Sequence, residues 1–378
     1  MADPNPFFGL YDVELQEHSK KETNDLPKQL KNGESRFSWE FQQRRRKANA
    51  DKTRDDIEAG YEGLNYRGFS IPRTSEPDNV ATKITKLEPP KDIDLAVVWP
   101  NSIETSQEKV PCFFFIHGGA RVGSSRFVGL GVNGHRWAEE FNAVTVSVEY
   151  RLAPNQGVGE DPVNDCYEAL DWVFQQIPRD DGTSSGGGLA ASLGMKWKDD
   201  TDKHPLGGIF MEAPQLADRN MTDSKQPFDD GNMFIWRDAL LGWKCSLGED
   251  RVGRDDVTKY EVPALAQPND LRGLPPVYLD VGSVEPFRDE VEYFADLLSR
   301  AGVRYSCYVF EGGFHGYFAA VPDALISRLT QAARKMELHS LIDCGNGKKE
   351  ESIEEYEELK KELEDLRGRP MVTVKKSY

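Results

Sequence analysis

The chain lacks the features that mark membrane-spanning, disulfide-rich and nucleic-acid-binding proteins. Its five cysteines are odd in number and scattered, without a Cys-x-x-Cys pair, so the sequence predicts neither a disulfide framework nor a metal site of the zinc type. No run approaches the ~18 apolar residues of a membrane span. The formal net charge of −17 argues against a nucleic-acid partner, because such binding is driven by basic surface.

The first residues also lack a secretion signal. Met1 to Pro6 contain neither a basic region nor an apolar stretch. Together with the scattered cysteines, this predicts a cytoplasmic protein. The 378 residues, 38% hydrophobic and 29% charged, suffice for one sizeable α/β domain with additions, and they leave the oligomeric state open.

Short apolar runs that alternate with helical patterns predict a mainly parallel sheet with helices on both faces. The predicted strands are Ile93 to Trp99, Cys112 to Ile116, Ala143 to Glu149, Leu206 to Ala213, Val277 to Val281 and Tyr305 to Phe310. Two helices have clear start or stop signals. They are Val163 to Gln176, opened by Asp161-Pro162, and Arg288 to Ala301, closed by Gly302.

A pair of glycines follows the apolar run Cys112 to Ile116, where the sequence reads His117-Gly118-Gly119. Glycines just past a central strand let backbone N–H groups approach a ligand and point the same way, as an oxyanion hole requires. An ordinary glycine turn has the same residues. Taken alone, the segment favours neither interpretation.

A second segment, Gly182-Thr183-Ser184-Ser185-Gly186, fits the Gly-x-Ser-x-Gly pattern of a nucleophile elbow. Small residues flank such a serine because the sharp strand-to-helix turn leaves no room for larger ones. A flexible Gly/Ser linker has a similar composition. The elbow is favoured here only because His117-Gly118-Gly119 lies upstream.

An acid and a histidine follow on loops after two later strands. Glu285 comes after Val277 to Val281, and His315 comes after Tyr305 to Phe310. Loops that follow successive parallel strands meet at one edge of the sheet, where such folds keep their ligands. The order serine, acid, histidine is the order that a hydrolase with a nucleophile elbow uses.

Together these segments resemble the hormone-sensitive-lipase-like branch of the α/β-hydrolase superfamily. Its members carry His-Gly-Gly-Gly, Tyr-Arg-Leu-Ala-Pro, Gly-Asp-Ser-Ala-Gly-Gly and a late Asp and His. The matching positions are His117 to Ala120, Tyr150 to Pro154, Gly182 to Gly187, Glu285 and His315. The resemblance covers about residues 90 to 342, and it implies an α/β-hydrolase fold with a helical cap.

The resemblance also implies the chemistry, a serine carboxylic ester hydrolase acting on small to medium acyl esters without a cofactor. Ser184 would attack the carbonyl, His315 would take and return the proton, and Glu285 would stabilise the imidazolium. Glu285 replaces the commoner Asp, and Asp289 is the fallback acid.

The implied oxyanion donors are the backbone N–H groups of Gly118, Gly119 and Ser185. Ala120 stands where the family usually has glycine. This departure is mild if the φ angle of Ala120 is negative. His117 and Tyr150 are expected to position the oxyanion loop and the turn after the next strand.

The resemblance divides the chain into three parts. Residues 1–88 are an N-terminal extension that contributes to the cap, 89–342 are the catalytic domain with a cap insertion at about 219–264, and 343–378 are a charged helical tail. Within the tail, Lys348 to Leu366 reads as an appended surface helix. Three aromatic residues of the insertion are expected to line the acyl pocket or to pack within a helix: Phe234, Trp236 and Trp243.

The sequence departs from the family pattern in the segment just before Ser184. Only Ile177 to Asp181 lie between the predicted helix and Gly182, where the family places a loop and a buried strand. Either Asp171 to Phe174 leave the helix to form that strand, or Ser184 is not held against His315. A misplacement of ~1 Å can cost about 10² in rate, so the alternative function is a catalytically impaired hydrolase-fold protein that binds a small molecule without turnover.

A dinucleotide-dependent enzyme is the third prediction. Gly129 to Gly134 reads Gly-x-Gly-x-x-Gly, and Glu149 follows about twenty residues later at the end of a strand, as in a dinucleotide fingerprint. That motif should begin immediately after its strand, whereas His117 to Val128 intervene. In the hydrolase fold, this segment is therefore expected to be the loop that leads into the helix around Trp137.

Overall fold

A computed structural model of the chain describes residues 12–18, 54–55, 57, 60–75, 90–105, 110–176, 182–185, 187–219, 236–342 and 346–377. The strands are β1 (Leu64–Pro72), β2 (Asp92–Pro100), β3 (Cys112–Ile116), β4 (Val144–Glu149), β5 (Gly182–Ser185), β6 (Gly208–Glu212), β7 (Val277–Gly282), β8 (Tyr305–Phe310) and β9 (Val372–Ser377). The helices are α1 (Arg126–Gly129), α2 (His135–Glu140), α3 (Asp161–Gln176), α4 (Gly187–Asp199), α5 (Trp236–Leu247), α6 (Pro268–Leu271), α7 (Arg288–Ala301), α8 (Tyr317–Ala320), α9 (Leu325–Leu341) and α10 (Asn346–Arg367).

The strands form one sheet in the order β1-β2-β4-β3-β5-β6-β7-β8-β9. Pairing is parallel from β4 to β8 and antiparallel for β1, β2 and β9 at the two edges. The loops after β3, β5, β7 and β8 therefore come together at the carboxyl edge of the sheet. The predicted mainly parallel sheet is confirmed, and so are the six predicted strands, with bounds that shift by one or two residues.

Two apolar cores lie on opposite faces of the sheet because side chains alternate along each strand. Phe114 belongs to the core formed with α3, α4 and α7, whereas Phe113 and Phe115 belong to the core formed with α2, α9 and α10. All five residues of β3 are buried, as a central strand covered on both faces requires. Among the described residues, no helix combines the length and the apolar character that crossing a membrane requires.

The C-terminal tail is part of this architecture. The predicted helix is confirmed as α10, but its assignment to the surface is wrong, because Tyr356, Leu359 and Leu363 are buried in the core beside α9. After α10, β9 pairs with β8 and extends the sheet. Of the predicted N-terminal cap segment, residues 1–11, 19–53, 56, 58–59 and 76–89 lie outside the described residues.

Removing a buried side chain from the tail is expected to destabilise the whole domain. Leu363 is fully buried, so Leu363→Ala should lower the free energy of unfolding by about 2–4 kcal/mol. Leu366 lies one turn later and is 63% exposed, so Leu366→Ala is a matched control with an expected change within about 0.5 kcal/mol. Urea unfolding of the two variants measures the difference, and equal stabilities would mean that α10 does not pack on the domain.

Candidate active site

His315 and Glu285 meet at the carboxyl edge of the sheet, on the loops after β8 and β7. His315 Nδ1 lies 2.6 Å from Glu285 Oε2, and the Gly282 N–H donates to Glu285 Oε1 at 2.8 Å. The glutamate side chain is 1% exposed, whereas the histidine side chain is 30% exposed and lines a cavity. The ring of Phe287 stands edge-on to the imidazole, with the ring centroids 5.1 Å apart. A buried carboxylate therefore orients an accessible imidazole.

Hydrogen bonds join the two loops to each other. Ser283 donates its N–H to Phe310 O at 2.8 Å, and its hydroxyl oxygen accepts the Gly312 N–H at 2.9 Å. The Val284 N–H donates to Gly313 O at 3.0 Å. These bonds fix the distance between the loop that carries the acid and the loop that carries the histidine.

Asp289, the fallback acid, lies in the first turn of α7. Its Oδ1 is 2.8 Å from Arg288 Nε. The structure thus brings Glu285, and not Asp289, to His315. A carboxylate in the first turn of a helix also interacts favourably with the helix dipole, which gives Asp289 a local role.

The loop after β3 makes a tight turn that only glycine can begin. Gly119 has a φ of +119°, and a Cβ at this position would lie 2.0 Å from Gly123 O. Ala120 follows with a φ of +53°. Because this angle is positive, alanine in place of the family's usual glycine is not a mild departure. A non-glycine residue in this region costs on the order of 1 kcal/mol or more. The loop is held in a strained conformation at the edge of the cavity.

His117 and Tyr150 contact each other at the start of this loop. Their rings stack with centroids 4.2 Å apart, and the Tyr150 hydroxyl donates to His117 O at 2.7 Å. His117 Nδ1 lies 2.8 Å from Gly118 O. Burial lowers the pKa of His117, so the imidazole is neutral near pH 7. These contacts agree with the positioning role that the sequence predicts.

Arg121 links the same loop to the segment of residues 219–264, which is predicted to form the cap insertion. Its Nη1 donates to Glu261 O at 2.9 Å, and its guanidinium stands 4.6 Å from the ring centroid of Trp243. Burial lowers the pKa of Arg121 to about 10, which leaves it charged. Trp243 therefore packs beneath the loop. The cavity wall, within the described chain, includes neither Trp236 nor Trp243, and Phe234 lies outside the described residues.

The segment predicted to carry the nucleophile forms strand β5. Because α3 continues to Gln176, the first of the two alternatives, in which Asp171 to Phe174 leave the helix to form the strand, is wrong. The backbone of Ser184 pairs with Phe114 on one side and Ile209 on the other, and Ser185 pairs with Phe115. The turn into α4 comes later, at Gly187, whose φ is +56°. The structure thus places the main chain of both serines inside the sheet.

A cavity of about 400 Å³ lies between these loops. Its wall combines the glycine loop after β3, the first turn of α4 and the histidine loop, together with Phe287 from the loop after β7. The residues from the first three segments include Gly118, Gly119, Gly187, Gly188 and His315. An apolar cavity with a few convergent polar groups is the usual form of a small-molecule site. The site has an oriented imidazole and a glycine loop on one cavity wall.

Sequence reasoning missed Glu212, which ends β6 and also lines the cavity. Its Oε1 accepts a hydrogen bond from Asn133 Nδ2 at 2.8 Å, and its Oε2 lies 3.5 Å from Arg334 Nη1. Burial raises the pKa of Glu212 to about 7. The charge of Arg334 lowers this pKa, and the charge of Asp280 raises it. The available signal was an acidic residue at the end of an apolar strand.

The glycines of the dinucleotide pattern lie in helical structure. Gly129 ends α1, and a π-helical turn spans Leu130–Gly134. No glycine-rich turn from a strand into a helix is formed there, so the structural premise of the dinucleotide alternative fails. The prediction of a loop is also wrong, because the segment is helical. In the described ranges, no three His, Cys, Asp or Glu side chains group closely enough to hold a metal ion.

Comparison with known proteins gives consistent matches. A family model described as the alpha/beta hydrolase fold matches residues 113–319, more than half of the chain. Esterase LipI of Mycobacterium tuberculosis is 25% identical over 286 residues, covering 71% of this chain and 85% of that protein. Carboxylesterase NlhH of the same organism is 27% identical over 269 residues, covering 66% and 80%.

Solved structures of esterases also match. A bacterial heroin esterase aligns with a TM-score of 0.66 at 28% identity, covering 86% of this chain and 96% of that one. Esterase LipW from Mycobacterium marinum aligns with a TM-score of 0.68 at 21% identity, covering 90% and 98%, which is a likeness of fold.

Proposed function

The chain belongs to the α/β-hydrolase family and is a carboxylesterase-type hydrolase, and from this premise we propose that it hydrolyses small to medium acyl esters through a covalent serine ester. The proposed triad is Ser184, His315 and Glu285, with oxyanion donors at the backbone N–H groups of Gly118, Gly119 and Ser185. The observation that carries the proposal is the 2.6 Å contact between His315 and Glu285 beside the glycine loop.

The mechanism follows from the orientation of the imidazole. Because the Glu285 carboxylate accepts from Nδ1, the proton of neutral His315 stays on Nδ1 and Nε2 is left as the base. Ser184 Oγ attacks the ester carbonyl while Nε2 takes its proton. The imidazolium then protonates the departing alkoxide. Water then attacks the acyl-serine while Nε2 takes one of its protons. That proton passes to Ser184 Oγ as the acyl–serine bond breaks, and the other proton leaves with the carboxylic acid product.

The glycine loop supplies the electrostatic part of the proposal. Backbone N–H groups at Gly118 and Gly119 would donate to the oxygen that becomes negative when the tetrahedral intermediate forms. Each such donor typically contributes roughly 10²–10³ in rate. The tight turn at Gly119 supports this role, because donors held in one backbone conformation would need little reorganisation during the reaction.

One observation favours a second candidate function, the binding of a small molecule without turnover. The backbone of Ser184 is paired on both sides within β5, and the residue at the strand-to-helix turn is Gly187. A hydrolase-fold protein with this register keeps its cavity and its histidine loop but has no serine at the turn.

Labelling of the purified protein separates the two candidates. The full chain is incubated with 4-nitrophenyl butyrate and, separately, with a fluorophosphonate probe whose site is mapped by mass spectrometry. A serine esterase is expected to release 4-nitrophenolate and to carry the probe on the peptide that contains Ser184. Heat-denatured protein is the control for non-specific reaction. If the folded protein neither hydrolyses the ester nor reacts with the probe, the esterase proposal fails and binding without turnover is the favoured function.

A further inference from the structure

One part of the cavity wall is polar and belongs to no step of the proposed mechanism. It contains Glu212 from the end of β6 and Asn133 from the π-helical turn, which are joined by a 2.8 Å hydrogen bond. The neighbouring wall is apolar, with Phe115, Val128 and Phe318. A carboxylate in such surroundings must either be needed for folding or serve a ligand.

The buried ion pair next to Glu212 is formed mainly by two other residues, Arg334 and Asp280. Arg334 binds Asp280 through two hydrogen bonds of 2.6 and 3.0 Å, and its guanidinium stands 3.8 Å from the ring centroid of Phe318. Glu212 is an additional negative charge beside this pair, at 3.5 Å from Arg334. The group of one cation and two carboxylates therefore carries a net negative charge when all are ionised.

Glu212 has acceptor capacity that the protein does not use. Above its pKa of about 7, Glu212 is an ionised carboxylate, which has about four lone-pair sites. Among the residues that the structure describes, Asn133 donates the hydrogen bond to Oε1, and Oε2 has only the long approach of Arg334. The side chain is 17% exposed and lines the cavity, so a bound molecule can reach it.

We infer that Glu212 sets substrate specificity by accepting a hydrogen bond from the ester, and that the preferred substrates carry a hydroxyl or ammonium group in the part that enters the cavity. The inference rests on the proposed esterase function. An alkyl ester fits the same apolar wall but leaves the carboxylate without its partner. A carboxylate-bearing ester meets a like charge and is disfavoured.

The expected discrimination is large enough to measure. A hydrogen bond to a charged group contributes enough for roughly a tenfold to hundredfold preference. By contrast, an apolar pocket discriminates between substrates only by their size and shape, so it would not by itself favour a substrate with a hydroxyl or ammonium group. The measured quantity is the ratio of kcat/KM between an ester with a polar tail and an alkyl ester of the same length.

The test uses three esters of one length, 4-nitrophenyl hexanoate, 6-hydroxyhexanoate and 6-aminohexanoate. Wild-type protein should prefer the two polar esters by tenfold or more. Glu212→Leu should remove both preferences, whereas Glu212→Gln should keep the hydroxyl preference in part and lose the ammonium preference. Glu337→Gln is the matched control, because Glu337 is a buried carboxylate bonded to Tyr308 outside this cavity.

Two results would overturn the inference. One is an equal preference in wild-type protein and Glu212→Leu, and the other is the same loss in Glu337→Gln. If no ester is hydrolysed, the proposed function fails, and calorimetric binding of 6-aminohexanamide and hexanamide decides the inference separately. Tighter binding of the ammonium compound to wild-type protein than to Glu212→Leu supports it, and equal binding or none overturns it.

Discussion

Replacing Ser184 with alanine is expected to lower kcat for 4-nitrophenyl butyrate by about 10⁴-fold to 10⁶-fold, because no covalent acyl-enzyme can form. Labelling by the fluorophosphonate probe should disappear from the peptide that contains residue 184. The cavity and the His315–Glu285 pair do not depend on this hydroxyl, so substrate should still bind. Steady-state kinetics and mass spectrometry of the same protein samples measure both effects.

Ser185→Ala is the matched control for this experiment. It removes a hydroxyl from the neighbouring position of β5 but keeps the backbone N–H that the proposal uses, so kcat should stay within a few-fold. Turnover that survives Ser184→Ala, with the probe bound to another serine, would contradict the assignment of the nucleophile.

The result also tests the register of β5. Ser184 lies three residues before Gly187, where the chain turns into α4. Three residues of strand span ~10 Å, far more than the ~1 Å misplacement that already costs about 10² in rate. Turnover through Ser184 would therefore require residues before Gly182 to enter the sheet, so that Ser184 takes the position at the turn.

The strands that the sequence predicts are the ones with continuous apolar runs. β3 and β7 are buried on both faces, so apolar residues predominate in them, and the one buried carboxylate of β7, Asp280, is paired with Arg334. The two missed edge strands, β1 and β9, contain exposed polar residues such as Arg67 and Lys375. Edge strands commonly carry charges that discourage further pairing, and this composition hides them from a search for apolar patterns.

The sequence pattern does not predict β5 either, but for a different reason. Its sequence Gly-Thr-Ser-Ser has no apolar residue, and local propensity favours a turn. It is a strand because β3 and β6 offer hydrogen-bonding partners on both sides. Such a tertiary effect overrides propensity and is not visible in the local sequence.

The site shows the same division between local and distant information. The approach of Glu285 to His315 follows from their positions after successive parallel strands, so the topology alone predicts it. The environment of Glu212 depends on Asn133, which lies 79 positions before it, and on Arg334 from α9. No spacing in the sequence relates these three residues, and only the packed fold brings them together.

Changing Glu285 to glutamine is expected to lower kcat by about 10³-fold to 10⁴-fold with little change in KM. Glu285 Oε2 lies 2.6 Å from His315 Nδ1 and accepts a hydrogen bond from it, and the carboxylate is 1% exposed, so water cannot replace it. A glutamine amide that donates to Nδ1 moves the imidazole proton to Nε2. The histidine can then no longer accept the serine proton, and the positive charge that forms on it loses its partner.

Asp289→Asn provides the comparison, because Asp289 is the fallback acid in the first turn of α7 and pairs with Arg288. Its expected effect on kcat is within a few-fold, with at most a small loss of stability from a partly exposed ion pair. Circular dichroism of both variants controls for folding. A larger loss in Asp289→Asn than in Glu285→Gln would transfer the acid role to Asp289, and this would require the loop after β7 to move during catalysis, because the described contacts place Glu285 against the imidazole.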